Sequence, residues 1–162
     1  MTKKLIIDFL YLDLNVCQRC QGTESALIEA LDQSAAQLRN EGYKIILNKL
    51  NVTTEKLAKA YRFVSSPTIR VNGKDIAKDL IENTCGDCGD LCGTSVTCRV
   101  WTYQGHSFTT PPVDLIKEAL TKNQEDSSLV KEAPYELPEN LKHFLNGLSN
   151  KVDYPTISIK HL

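Results

Sequence analysis

The chain of 162 residues has no excess of either charge, no long apolar run and little histidine. Its 19 basic and 20 acidic side chains leave a formal net charge of -1, so there is no surplus of positive charge to neutralise a phosphate backbone, and nucleic acid is not an expected partner. No stretch approaches the roughly 18 consecutive apolar residues that a bilayer span needs, so no membrane partner is expected either. Lys3 and Lys4 precede an apolar run, but Asp8 and Asp13 interrupt it and no small-residue cleavage site follows. The expectation is a buried strand in place of an export signal, and a soluble, cytoplasmic protein. Of the three histidines, His106 follows Gly105 in a turn and reads as a solvated surface residue, and His143 and His161 carry still less signal. The single Trp, Trp101, alternates with Tyr103 along one segment, a pattern that favours core packing over a ring-stacking ligand site. No internal repeat is present.

What the chain does have is cysteine. Six are present, which in a reducing compartment points to catalysis or metal binding before a permanent disulfide scaffold. With 41% apolar residues, the length suits one compact domain and a modest appendage.

Residues 5–12 read as a buried strand leading into the loop that holds Cys17 and Cys20. A helix follows, with Thr23 as its cap, Ile28, Leu31, Ala35 and Leu38 at helical spacing, and Gly42 as its stop. Residues 43–50 form a second buried strand, and Thr53 or Thr54 caps a short helix ending near Val64. Ser66-Pro67-Thr68 opens a strand over 68–71, Asn72-Gly73 turns it, and residues 74–77 return antiparallel. Residues 83–98, with three glycines, two aspartates and four cysteines, offer almost nothing else to bury and read as an insertion. A strand over 99–104 and a helix with core face Val113, Ile116 and Leu120 complete a domain spanning 1–122. Residues 123–162 form an extension: a polar linker, an amphipathic helix over 138–148, and a weakly alternating tail that suits an edge strand or a partner-binding segment.

Cys17 and Cys20 are separated by two residues, just after a strand and just before a helix. There the free N–H groups and positive dipole end of the helix favour a thiolate on Cys17. Arg19, between the two, adds to this, and Cys20 is spaced to resolve a mixed disulfide formed at Cys17. The same pair could instead hold a soft metal or metalloid ion, or be structural.

Cys85, Cys88, Cys92 and Cys98 follow a C-x2-C-x3-C-x5-C spacing in a Gly/Asp-rich segment. Four thiolates can close a tetrahedral zinc site, and a metal or crosslink would supply the order that burial cannot. Zinc, disulfides, an iron–sulfur cluster and free thiols remain open, and Cys98 also reads as a small buried residue at a strand start.

The order strand, CxxC, helix, strand, helix, Ser-Pro-Thr strand, hairpin and helix resembles the thioredoxin fold, an α/β, three-layer α/β/α sandwich with a mixed sheet. More closely, LDLNVCQRCQGTESAL, SSPTIRVNGKDI, the cysteine-rich insertion and CRVWTYQG followed by TPPVDLIKEAL look like an uncharacterised prokaryotic thioredoxin-like family, over residues 5–122. The resemblance implies a cis proline facing the cysteine pair, at Pro67, with the alternative of a trans proline at a strand edge. It also implies that Ser66 contacts an extended substrate. Against true thioredoxins, no Trp precedes Cys17, Gln18 and Arg19 stand in place of Gly and Pro, and neither Asp8 nor Asp13 is a clear buried proton acceptor.

The expected function is thiol–disulfide exchange with a protein or small-molecule partner, catalysed by Cys17 and Cys20, with Ser66, Pro67 and Arg19 in substrate contact and no cofactor beyond zinc at the insertion. The alternative is non-enzymatic binding of soft metal or metalloid ions through the cysteine clusters. A third reading is an interaction module that uses the fold as a scaffold.

Overall fold

Alternation along the first strand divides the molecule into layers. In the computed structural model, which describes residues 3–93, 96–122, 134–151 and 159–161, β1 spans Lys3–Tyr11. Leu5, Ile7 and Phe9 face one side of the sheet, and Leu10, with Leu12 just beyond the strand, faces the other. α1 (Gln18–Asn40) follows, then β2 (Tyr43–Asn51), α2 (Glu55–Ala60), β3 (Thr68–Val71) and β4 (Lys74–Asp75). β5 (Ile81–Thr84), α3 (Gly86–Cys92), β6 (Thr97–Tyr103) and β7 (His106–Phe108) form the next group, and α4 (Val113–Lys122), α5 (Glu139–Lys151) and β8 (Ile159–His161) complete the chain.

The fold is mixed α/β. A five-stranded sheet has the order β4-β3-β1-β2-β8, with β1 and β2 parallel and the other pairings antiparallel. A second, antiparallel sheet has the order β5-β6-β7. One core joins Leu5, Ile7, Phe9, Leu47, Ile69 and Val71 to α1 and α4 through Leu27, Leu38, Ile116 and Leu120, with Trp101 fully buried among them. The other joins Leu10, Leu50, Val52 and Phe63 to all six cysteines and to Leu141, Phe144, Leu145 and Leu148 of α5. Among the described residues no helix is long and apolar enough to cross a membrane.

Three expectations change. Thr23 lies inside α1 rather than at its start, and its hydroxyl donates to the carbonyl of Arg19. The helix begins earlier because Asp13 serves its first turn. The return strand after Asn72-Gly73 is only Lys74–Asp75, because the Asp75 carboxylate accepts from the Ala77 N–H and turns the chain. The segment 83–98 is no coreless loop. It contributes to β5, α3 and β6, and Cys85, Cys88, Cys92 and Cys98 are all buried. What covers them is α5, which packs against α3, so the helix expected as an appendage is part of the wall. The expected linker, for residues 123–133, lies outside the described residues, as do residues 154–158 of the tail.

Candidate metal centre

The loop between β1 and α1 is fixed by one carboxylate. Asp13, 9% exposed, accepts the backbone N–H of Val16 at 2.6 Å and that of Cys17 at 2.7 Å. Cys17 is the N-cap residue of α1 and makes no side-chain capping bond. The next N–H, of Gln18, donates to Asp87 of α3 at 3.0 Å, so a carboxylate from the cysteine-rich segment sits on the start of the CxxC helix. The positive end of α1 is therefore answered by Asp13 and Asp87, which leaves the thiolate of Cys17 to be stabilised by other means.

Those means are other sulfurs. The Cys17 Sγ lies 4.0 Å from the Sγ of Cys85, and the Cys98 Sγ lies 3.8 Å from that of Cys88. The sulfurs of Cys17, Cys85 and Cys88 all lie within 4.8 Å of one another. Hydrogen bonds from Cys20 first, then Cys85, Cys88 and Cys98, hold the Cys17 thiol well below its ordinary range. Cys20 is pushed up by the same contact with Cys17 and by burial. For Cys85 the contact with Cys17 pushes up, but those with Cys88 and Cys98 pull down, and the thiol comes down to about 7. Cys88 and Cys98 are both pushed up, in each case first by Cys17 and then by Cys85. None of the six cysteines, all among the described residues, is joined in a disulfide, and the 3.8 and 4.0 Å separations are nearly double the ~2.05 Å of such a bond.

Cys92 is placed differently. Its sulfur faces the carbonyl of Gly89 at 3.9 Å, and a Cβ built on Gly147 of α5 would run into its carbonyl oxygen. The expected quartet of Cys85, Cys88, Cys92 and Cys98 is thus not the set whose sulfurs are brought closest. Cys17, distant in sequence, joins Cys85 and Cys88.

The Ser66–Pro67 peptide is cis. Ser66 is fully buried and its hydroxyl accepts from the Leu12 N–H at 3.1 Å and lies 3.5 Å from the Cys20 sulfur. Its carbonyl, the group that the thioredoxin resemblance offers to a substrate strand, accepts the N–H of Arg99 in β6 at 2.8 Å. Arg19 reaches back over the same segment, donating to the carbonyls of Cys98 at 3.4 Å and Thr84 at 3.1 Å.

Residues that the sequence did not single out complete the site. Asp87 gave no signal, because its partner is 69 positions away. Asn140 of α5 accepts from the Thr97 N–H at 2.7 Å and donates to the Thr97 carbonyl at 2.9 Å, clamping the start of β6 as a neighbouring strand would. Asp13 could have been found, since a carboxylate four residues before a helix-initiating cysteine is suitably placed to accept its N–H.

A family profile described as "Domain of unknown function (DUF2703)" matches residues 5–120. The chain belongs to that family. No curated protein and no solved structure matches it. All six cysteines of this DUF2703 chain lie inside the matched segment, whereas α5, which covers them, lies beyond it.

Proposed function

We propose that this DUF2703 protein binds a thiophilic metal ion through Cys17, Cys85 and Cys88, on a thioredoxin-like scaffold. The observation that carries this reading is the convergence of those three sulfurs, all within 4.8 Å of one another, from segments 68 and more positions apart. The donor set fits the proposed ion. Every donor is a thiol, which selects soft or borderline ions over calcium or magnesium. The site is walled by Leu10, Val52, Phe63 and Phe144, so water competes poorly for it. Cys17 and Cys85, with lowered pKa values, offer thiolates near neutral pH, and Cys88 would release a proton on binding. Arg19 contributes positive charge close to the sulfur layer. Free thiols suit a reducing compartment, and the cytoplasm is the location this reading implies.

The thioredoxin-like part of the proposal is supported by the strand order around β1, by CxxC at the start of α1 and by the cis Ser66–Pro67 peptide beside Cys20. These same features favour a second reading, thiol–disulfide exchange. There Cys17, held as a thiolate by its neighbours, attacks a partner disulfide and releases one partner thiolate. Cys20 then gives up its proton, displaces the second partner thiolate and leaves a Cys17–Cys20 disulfide.

Titration of reduced protein with cadmium under anaerobic conditions tests the first reading. One equivalent bound with a thiolate-to-metal charge-transfer band, and weakening of that band in Cys17→Ser and in Cys85→Ser, are expected. Absence of binding, or binding indifferent to both substitutions, would overturn it. Consumption of glutathione disulfide by metal-free protein, abolished in Cys17→Ser, is what the second reading requires.

A further inference from the structure

We propose that the centre is a four-sulfur site with Cys98 as the fourth ligand, built for a tetrahedral divalent ion of the zinc class, and that Cys20 and Cys92 stay outside it. This rests on the metal-binding reading above and extends it to the ligand set and the class of ion.

The argument is one of spacing. In a regular tetrahedron the edge is 1.63 times the centre-to-vertex distance, so a Zn–S bond of about 2.3 Å places neighbouring sulfurs about 3.8 Å apart. Two sulfur pairs, Cys88 to Cys98 at 3.8 Å and Cys17 to Cys85 at 4.0 Å, fall close to that edge length. They have no atom in common, as two opposite edges of one tetrahedron require. Cys88 ties them together, because it lies within 4.8 Å of both Cys17 and Cys85. Cys98 lies beyond 4.8 Å from at least one of Cys17 and Cys85, so closing the shell draws its sulfur inward by more than about an ångström, as a site completed by its ion requires.

The remaining two cysteines lie outside the three-sulfur group. The Cys20 sulfur, which contacts Cys17, also lies 3.5 Å from the Ser66 hydroxyl, and the Cys92 sulfur faces the Gly89 carbonyl at 3.9 Å. The delivery of Cys98 is built into the fold. The N–H of the next residue, Arg99, is bonded to the Ser66 carbonyl, Arg19 holds the Cys98 carbonyl, and Asn140 clamps Thr97 on the other flank. Three successive residues of β6 are thereby fixed with Cys98 in the middle, among the cysteine layer.

Substitution with cobalt(II) reads the ligand set directly. Cobalt added to the reduced wild-type chain should give the intense visible envelope of a tetrahedral four-thiolate complex. Cys98→Ser should shift that envelope to shorter wavelength and lower the charge-transfer band by about one quarter, the share of one thiolate in four. Cys20→Ser and Cys92→Ser should leave both unchanged. A Cys98→Ser spectrum identical to wild type, or a shift in Cys20→Ser or Cys92→Ser, would overturn the assignment while leaving a three-sulfur site standing. Failure of the wild-type chain to bind cobalt at all, or unaltered binding in Cys17→Ser, would instead remove the reading underneath. Should Cys98→Ser not fold, X-ray absorption of the wild-type zinc protein decides the matter. Four sulfur neighbours at about 2.3 Å support the proposal, and three with a nitrogen or oxygen neighbour overturn it.

Discussion

The backbone N–H of Arg99 donates to the carbonyl of Ser66 at 2.8 Å, across the cis peptide that precedes Pro67. A strand of the chain itself thus occupies the position at which an extended substrate would pair in the thioredoxin-like reading. The consequence is a restriction on what reaches Cys17 and Cys20, both fully buried.

Loosening β6 should therefore expose the thiols. Asn140→Ala removes two hydrogen bonds to Thr97, worth together about 2 kcal/mol, and is expected to raise the local opening equilibrium by about 30-fold. Alkylation of Cys17 in metal-free reduced protein, followed by mass spectrometry of the labelled peptide, measures the effect. An unchanged rate would show that β6 does not limit access.

Cys17 belongs both to the CxxC pair and to the proposed metal centre. Occupancy by zinc and disulfide exchange are then mutually exclusive, so one equivalent of zinc should suppress any reaction of the reduced chain with glutathione disulfide, and a chelator should restore it. Equal rates with and without zinc would show that the two functions use separate sulfurs.

Protonation follows from the lowered Cys85 thiol, at about 7 in the folded chain against an ordinary value near 8.5. A thiol whose pKa is depressed on folding stabilises the fold above the unfolded value and loses that contribution as pH falls through about 7. The ultraviolet absorbance of thiolate in metal-free protein should accordingly show a step near pH 7 that Cys85→Ser removes. Metal affinity should fall with acidification through the same range.

Arg99 is 1% exposed, pairs with Asp75 at 2.7 Å and stands 5.5 Å from the centre of the Trp101 ring. Asp75→Ala strands this buried cation and should cost about 3 kcal/mol in denaturant unfolding. Replacing both residues, as Asp75→Ala with Arg99→Met, should recover most of the loss, because the desolvated charge is then gone. Additive losses would mean that the pair acts through packing alone.

Gly147 lies where α5 crosses α3 so closely that a Cβ would strike the carbonyl of Cys92 and come within 2.7 Å of its Cβ. The obstacle is backbone and cannot swing aside. Gly147→Ala should destabilise the fold by about 1–3 kcal/mol despite the higher helix propensity of alanine. Gly86→Ala, whose Cβ meets nothing within 4 Å, is the control in the same thermal melts.

Much of the framework was legible because local chemistry dictated it. β1, β2 and β3 are apolar runs, Thr54 caps α2 through the Leu57 N–H, and Asn72-Gly73 takes the positive φ angles its turn requires. The Val113, Ile116 and Leu120 stripe marked α4. The insertion was misread because its burial is supplied from outside: Leu141, Phe144 and Leu148 of α5 provide the apolar surface that 83–98 lacks. The site was half legible for the same reason. Spacing displays Cys17 with Cys20, and Cys85 with Cys88, but the meeting of Cys17 with Cys85 is a product of tertiary packing, for which a sequence interval of 68 carries no periodic signal.

β8 pairs with the outer side of β2, Ile159 opposite Leu50 and His161 opposite Asn48, while the far rim of the sheet is the two-residue β4. The five-stranded sheet thus ends in a covering strand on one flank and a very short one on the other, neither of which offers a long row of unpaired amides to another molecule. Shortening the chain to the end of α5 would uncover β2, and self-association through that bared rim is the hazard such a truncation creates.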